Sequence, residues 1–154
     1  MEDAGLCKKK PSPAARTLVL NLPQPLTENV ARGAYIVHEP AEVAPDMLLM
    51  ASGSEVHLAV EAARALPELR IRVVSVPCME LFAEQGPEYR EQIMPRAITK
   101  RVAIEAGRTD LWYKYVGLDG KVWGLNHFGA SAPAAVLKEK YGFTTAHLIE
   151  FLQR

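Results

Sequence analysis

The chain has 154 residues, of which 49% are hydrophobic and 23% charged, a composition typical of one soluble globular domain. Basic and acidic residues number 18 each, so the formal net charge is zero. Proteins that bind nucleic acid or an anionic membrane normally carry a clustered basic excess. Because the composition shows no such excess, we predict that neither is a partner of this chain.

Cysteine content and hydropathy indicate the cellular compartment. The two cysteines, Cys7 and Cys78, are too few for a disulfide framework and are expected to be reduced thiols. No apolar run approaches the ~20 residues that span a bilayer, and residues 1–16 lack the apolar core of a signal peptide. We therefore predict a cytoplasmic protein.

Residues 1–32 are expected to form a flexible leader and a connecting arm. They combine charge, small side chains and several prolines, which favours irregular chain over a long helix. Residues 16–20 are apolar enough for a short strand. The pattern becomes regular at Gly33, so a single domain is predicted over residues 33–154.

From Gly33 onward, short apolar runs alternate with helical patterns. Strands are expected at residues 34–39, 46–52, 69–77, 101–107 and 121–126. The helix after the second strand carries an apolar stripe made of Val56, Ala59, Val60 and Ala63, with Glu55, Glu61 and Arg64 left to water. Later helices are expected as short pieces broken at Pro87 and Pro95, from Asp110, from Ser131 to Gly142, and at the end of the chain. This alternation predicts an α/β domain with helices on both faces of a mainly parallel sheet.

The stretch Ser52-Gly53-Ser54-Glu55, between the second strand and its helix, is the first candidate site. Ser52 and Glu55 have the spacing of a capping box, in which each side chain satisfies a free amide at the helix start. The same amides lie at the positive end of the helix dipole and can bind a phosphate or carboxylate. The stretch has one glycine and matches neither a dinucleotide-binding motif nor a P-loop, so both interpretations stay open.

Glu105 is the second candidate, because it is predicted at the carboxyl end of a parallel strand, where open α/β sheets form a ligand crevice. The histidines are scattered without metal-ligand spacing, and His57 with Glu61, four residues apart on one helix, is expected to be a solvent-exposed pair. The aromatic stretch at residues 112–117 fits either the core or an interface. The sequence therefore contains no complete catalytic constellation.

Five longer motifs resemble, in order and spacing, the C-terminal domain of transketolase. They are ASGSEVHLAVEAA, RVVSVPCMELFAEQ, YREQIMPRAITKRVAIEAG, WYKYVG and FGASAPAAVLKEKYGFT, and the resemblance covers residues 33–154 almost continuously. It implies a three-layer α/β/α sandwich around a five-stranded mixed sheet that is mostly parallel, with one antiparallel strand.

The resemblance also implies what the complete enzyme does. Such an enzyme uses thiamine diphosphate and magnesium to move a two-carbon ketol unit from a ketose phosphate to an aldose phosphate, as in the pentose phosphate pathway. Two preceding domains hold the cofactor across a homodimer interface. The C-terminal domain contributes packing and subunit contacts.

The motifs that hold cofactor and substrate in that family have no counterpart here. The metal-binding Gly-Asp-Gly motif is absent, because Asp119 lacks the glycine before it and Asn126 follows too soon. Of the Ser/Thr-Arg-Gln-Asn-Leu motif that binds substrate phosphate, Asn21, Leu22 and Pro23 resemble only the end. We therefore predict no catalytic, cofactor-binding or metal-binding residue on this chain, with thiamine diphosphate and Mg bound elsewhere in the complete enzyme.

The residues leave two main hypotheses. In the first, the chain is the C-terminal portion of a transketolase and works with the upstream transketolase domains or with a subunit that carries them. In the alternative, it is a free-standing anion-binding or interaction module that uses Ser52 to Glu55, or Glu105. A self-sufficient enzyme is disfavoured, because ketol transfer needs the thiazolium and a protein that positions it. Formation of a homo-oligomer stays open, since an apolar surface left by absent domains would promote it.

Overall fold

The computed structural model describes residues 26–41 and 43–154. In this part of the chain five strands form one sheet: β1 (Tyr35–His38), β2 (Met47–Ala51), β3 (Ile71–Ser75), β4 (Lys100–Ile104) and β5 (Lys121–Trp123). Their order across the sheet is β1-β3-β2-β4-β5. β1 runs antiparallel to β3 and the other neighbours are parallel, which confirms the mixed sheet with one antiparallel strand.

Seven α-helices lie within the described residues. They are α1 (Leu26–Ala31), α2 (Glu55–Ala65), α3 (Met79–Ala83), α4 (Pro87–Ile93), α5 (Tyr113–Val116), α6 (Ala134–Tyr141) and α7 (Thr145–Gln153). Two 3-10 turns, Pro67–Leu69 and Asp110–Trp112, follow α2 and precede α5. Over residues 26–41 and 43–154, no helix combines the length and apolar character needed to cross a bilayer.

The predicted leader and connecting arm fall largely outside the described residues, as does the strand expected at residues 16–20. Where the structure does describe this arm, it forms the short helix α1 rather than irregular chain. The boundary between arm and domain at Gly33 stays a prediction.

The strand β2 occupies the centre of the sheet, between β3 and β4. Its sequence is Met-Leu-Leu-Met-Ala, and all five residues are buried. Because successive side chains of a strand point to opposite faces, Leu49 and Ala51 pack into one core while Leu48 and Met50 pack into the other. An apolar run covered on both faces is what a central parallel strand requires.

Helices cover both faces of the sheet, which confirms the three-layer sandwich. On one face, α2 and α7 pack together, and the predicted stripe of α2 is buried throughout, with Leu148 and Leu152 of α7 in the same core. On the other face, α3, α4 and α5 contribute Phe82, Ile93 and Tyr115.

The aromatic stretch at residues 112–117 divides between core and surface. Trp112 and Tyr115 are 1% and 9% exposed and belong to the second core, whereas Tyr113 is 52% exposed. The two sequence interpretations therefore apply to different residues of the same stretch, because one helical turn presents its side chains to both sides.

Two predicted helix starts were wrong. The helix expected from Ser131 begins at Ala134 with Pro133 as its N-cap, because a residue that precedes proline is disfavoured in the helical conformation. Asp110 was expected to cap a helix, but it is the first residue of a 3-10 turn and its carboxylate pairs with Arg108. The predicted stop at Gly142 is confirmed by its left-handed φ of 75°.

Gly33 joins α1 to β1 at a position that only glycine fits. Its φ is +82°, and a Cβ atom there would lie 2.3 Å from the Cys78 carbonyl oxygen and 2.4 Å from the Phe82 amide nitrogen. Both neighbours are backbone atoms, which cannot move aside without displacing the start of α3.

We expect Gly33→Ala to lower the free energy of unfolding by about 2–4 kcal/mol, because it adds a steric clash to the cost of a left-handed φ. Gly53→Ala is the matched control: Gly53 also has a positive φ, of 52°, but nothing lies within 4 Å of the point that a Cβ atom would occupy, so about 1–2 kcal/mol is expected. Urea denaturation of the two variants measures both values. Equal losses would show that the close approach to Cys78 has no energetic effect.

Candidate functional site

Ser52 and Glu105 lie side by side at the edge of the sheet that is formed by the carboxyl ends of its parallel strands. Ser52 follows β2, Glu105 follows β4, and the last residues of these strands, Ala51 and Ile104, are register partners. The Ser52 hydroxyl Oγ donates a hydrogen bond of 2.6 Å to Glu105 Oε2. Ser52 and Glu105, which the sequence analysis considered as separate candidates, thus lie in one site.

The topology of the sheet places these two residues where open α/β sheets commonly bind ligands. From β2 the chain continues to β3 on one side, whereas β4 lies on the other side of β2. Open α/β sheets bind ligands outside the carboxyl ends of the strands, where the direction of strand order reverses. Ser52 and Glu105 lie at that reversal.

The predicted capping box is not formed. The N-cap of α2 is Ser54, and no side-chain hydrogen bond caps the helix. Ser52 instead contributes its carbonyl oxygen, which accepts a 3.2 Å bond from the Glu55 amide, while its hydroxyl is held by Glu105. In a capping box the serine hydroxyl accepts a bond from a backbone amide, whereas here it is oriented to donate a charge-assisted bond to the Glu105 carboxylate.

Glu55 is buried, which corrects the expectation that it faces water. It is 6% exposed, and its Oε1 accepts a 2.7 Å hydrogen bond from the Ser54 hydroxyl. A carboxylate in the first turn of a helix interacts favourably with the positive end of the helix dipole. The start of α2 is therefore already next to two carboxylates of the chain itself, Glu55 and Glu105.

Near Glu105 the structure brings together residues that the sequence analysis missed. Thr109, 5% exposed, donates from both its amide and its hydroxyl to Asn126 Oδ1, at 3.2 and 3.0 Å. Gly124 lies beside them, where a Cβ atom would come within 2.6 Å of Thr109 Cγ2 and 2.8 Å of the Gly107 carbonyl oxygen. Thr109 and Asn126 are 17 positions apart, and no sequence motif includes both. The contact becomes visible only once β4 is paired with β5.

The structure defines the surroundings of two histidines. His57 Nε2 and Glu61 Oε1 are 2.9 Å apart with both side chains about half exposed, which confirms the solvent-exposed pair. Burial lowers the pKa of His38, with a further contribution from Arg64. Within residues 26–41 and 43–154, no group of three or more His, Cys, Asp or Glu side chains could hold a metal ion.

The residues at this edge do not fit a thiamine diphosphate and magnesium site. A diphosphate needs free amides and cationic side chains, and a magnesium ion needs several oxygen ligands around one point. Here Ser52 and Ser54 donate to carboxylates of the chain, and the described residues offer no ligand cluster.

A separate surface stands out by its exposure. Phe128 is 98% exposed and Val136 is 54% exposed, and helix α6 has no buried residue. A surface helix normally buries one apolar stripe. We call residues 126–140 the exposed arm.

We expect Ser52→Ala to lower the free energy of unfolding by about 1.5–3 kcal/mol, because it removes a hydrogen bond to a half-buried carboxylate. Ser131→Ala, at an exposed serine, is the control with little change expected. A double-mutant cycle that combines Ser52→Ala with Glu105→Gln should give a coupling energy of about 1 kcal/mol. Strict additivity of the two changes would contradict the pairing.

Comparison with known proteins identifies one family. The family model described as "Transketolase-like TK C-terminal domain" matches residues 33–144. Transketolase 1 of Pasteurella multocida is 50% identical over 126 residues, which are 79% of this chain and 19% of that protein. The chain thus spans about a fifth of the length of the curated relatives that it matches.

Comparison with solved structures leads to the same family. The transketolase of Leishmania mexicana superimposes with a TM-score of 0.73 at 42% identity, over 82% of this chain and 18% of that one. A structure titled "Split gene transketolase, inactive beta4 tetramer" matches with a TM-score of 0.60 at 18% identity, over 80% of this chain and 42% of that one, which shows a shared fold. The family model and the close relatives together establish that this chain belongs to the transketolase C-terminal domain family.

Proposed function

We propose that this chain supports the assembly of a thiamine diphosphate enzyme that transfers a two-carbon ketol unit between sugar phosphates. The observation that carries the proposal is the extent of the match: residues 33–144 fit the C-terminal family model, and the relatives are about five times longer than the matched segment. The cofactor, the magnesium ion and the substrates then bind to the upstream domains. The cytoplasm is the proposed compartment.

The exposed arm supports a docking role. Within the described residues, the side chain of Phe128 is 98% exposed and that of Val136 is 54% exposed. Helix α6, which contains Val136 and follows Phe128 in the chain, has no buried residue, and a helix without a buried stripe is expected to pack against another surface. We propose that the upstream transketolase domains, or a subunit that carries them, cover this surface.

The contribution of this chain to catalysis is then indirect. Docking through the exposed arm would hold the cofactor-bearing domains in their productive arrangement and keep water from their shared surface. The chain by itself is proposed to be inactive. Self-association through the same arm is the competing use of this surface.

Reconstitution tests this function. We expect ketol transfer with thiamine diphosphate and magnesium when the chain is mixed with a fragment that carries the two upstream transketolase domains, at a rate at least tenfold above that of the fragment alone. The chain alone should show no activity. Activity of the isolated chain, or no gain on mixing, would contradict the proposal.

Phe128→Asp tests the docking surface. We expect it to weaken binding to the upstream fragment at least tenfold, because it places a charge in an apolar contact. Leu118→Asp is the matched control, since Leu118 is equally exposed but lies in the turn before β5. Calorimetric titration gives both affinities, and equal loss in the two variants would show that the exposed arm is not the specific contact.

A second candidate function is anion binding at Ser52 to Glu55. Its position at the reversal of strand order favours it, whereas the two neighbouring carboxylates disfavour it. A saturable shift of the Ser54 and Glu55 amide signals during a phosphate titration would support this function.

A further inference from the structure

A cavity of about 210 Å³ lies at the other end of the sheet from Ser52 and Glu105. It opens between α4 and α5, next to the first residues of β4. Four of its lining residues are basic, namely Arg90, Arg96, Arg101 and Lys114, and one is acidic, Glu91. The lining therefore has an excess of three positive charges, on a chain whose formal net charge is zero.

The single acidic residue does not neutralise the cavity. Glu91 Oε1 accepts a 2.9 Å hydrogen bond from the Arg96 amide, and its Oε2 lies 3.9 Å from Arg96 Nε. Among the described residues, Arg90, Arg101 and Lys114 take part in no ion pair. Three unpaired cations that face one concave space repel each other, and an anion between them would relieve that repulsion.

Arg101 provides a fixed positive charge at the back of the cavity. Its Nε donates to the Ile98 carbonyl oxygen at 2.8 Å. Its Nη1 and Nη2 donate to the carbonyl oxygens of Tyr115 and Pro95, at 2.9 and 2.8 Å. These three bonds set the orientation of the guanidinium and leave one N–H on each terminal nitrogen free to donate. Burial lowers the pKa of Arg101, yet an arginine remains protonated at neutral pH.

The floor of the cavity is apolar. Phe82, Met94 and Tyr115 line it and are each at most 9% exposed, and the rings of Phe82 and Tyr115 are 6.1 Å apart between centroids. A cationic rim over an aromatic floor matches a ligand with one anionic group and a short carbon skeleton. A cavity of about 210 Å³ has room for such a small ligand.

We propose that this cavity binds a small dianion of the phosphate type, either free or as a monoester of a short carbon chain. The planar fork of an arginine matches two oxygens of a phosphate, and a dianion offsets more of the excess charge than a carboxylate does. The site lies at the opposite edge of the sheet from Ser52 and Glu105, and it needs no residue of the exposed arm.

An NMR titration of the uniformly ¹⁵N-labelled 154-residue chain tests this site. Inorganic phosphate and glycerol 3-phosphate are the two probes, with glycerol and acetate as uncharged and singly charged controls. We expect saturable amide shifts in α4 and α5 with both phosphate probes. Tighter binding of the ester identifies a phosphate monoester as the ligand, and equal affinity identifies free phosphate. Shifts confined to Ser54 and Glu55, or no saturation with either probe, would overturn the proposal.

Two double variants test whether the phosphate binds in this cavity. Arg90→Gln combined with Lys114→Gln should raise the dissociation constant at least tenfold, because each lost cation removes a charge-assisted hydrogen bond. Lys138→Gln combined with Lys140→Gln removes the same charge from α6 and should leave the constant within about twofold. Arg101 is left intact because its three carbonyl bonds hold the fold. Equal loss in both double variants would reduce the effect to net charge and contradict a specific site.

Discussion

Burial of β2 on both faces is the constraint on which the rest of this structure depends. The five residues Met47–Ala51 are covered by helices above and below and paired with a strand on each side. Only an apolar strand can be surrounded in this way, because a polar side chain at any of the five positions would lack water and partners. The same strand sets the register of its neighbours, since Ala51 is the partner of both Ser75 and Ile104. Residues that follow the strands are therefore brought to one edge.

That edge has the topology of a ligand site but not its chemistry. The hydroxyl of Ser52 and the first turn of α2 would suit an anion if their surroundings were neutral or basic. Instead, Glu55 is buried in the first turn and Glu105 accepts the Ser52 hydroxyl. Two negative charges beside a helix start lower the electrostatic attraction for a third. The pair ties β4 to the start of α2, a structural use of a position that other α/β domains use for binding.

Patterns that depend on nearby residues were predictable from the sequence, and contacts between distant residues were not. The strands and the stripe of α2 follow from local periodicity, and Gly142 follows from the conformational freedom of glycine. The predicted capping box is not formed, and the Ser52 hydroxyl instead bonds to Glu105, 53 positions away. A rule based on neighbouring residues cannot include such a distant partner. Thr109 and Asn126 were missed for the same reason. The order of motifs gave the family and the mixed sheet, because a resemblance carries long-range information that a single spacing lacks.

The amino-acid composition says little about how charge is distributed over this molecule. Eighteen basic and eighteen acidic residues cancel in the sum, and that balance argues against a long polyanion, which needs a continuous basic surface. The zero net charge does not exclude a small anion-binding cavity, because a few cationic side chains are enough to bind one phosphate group. In this fold, the carboxylates Glu55 and Glu105 lie at the carboxyl ends of the strands, while Arg101, the second residue of β4, lies at the opposite end of that strand beside Arg90 and Lys114. Two carboxylates thus lie where the topology would favour an anion, and the cavity with the cationic lining lies at the opposite ends of the strands.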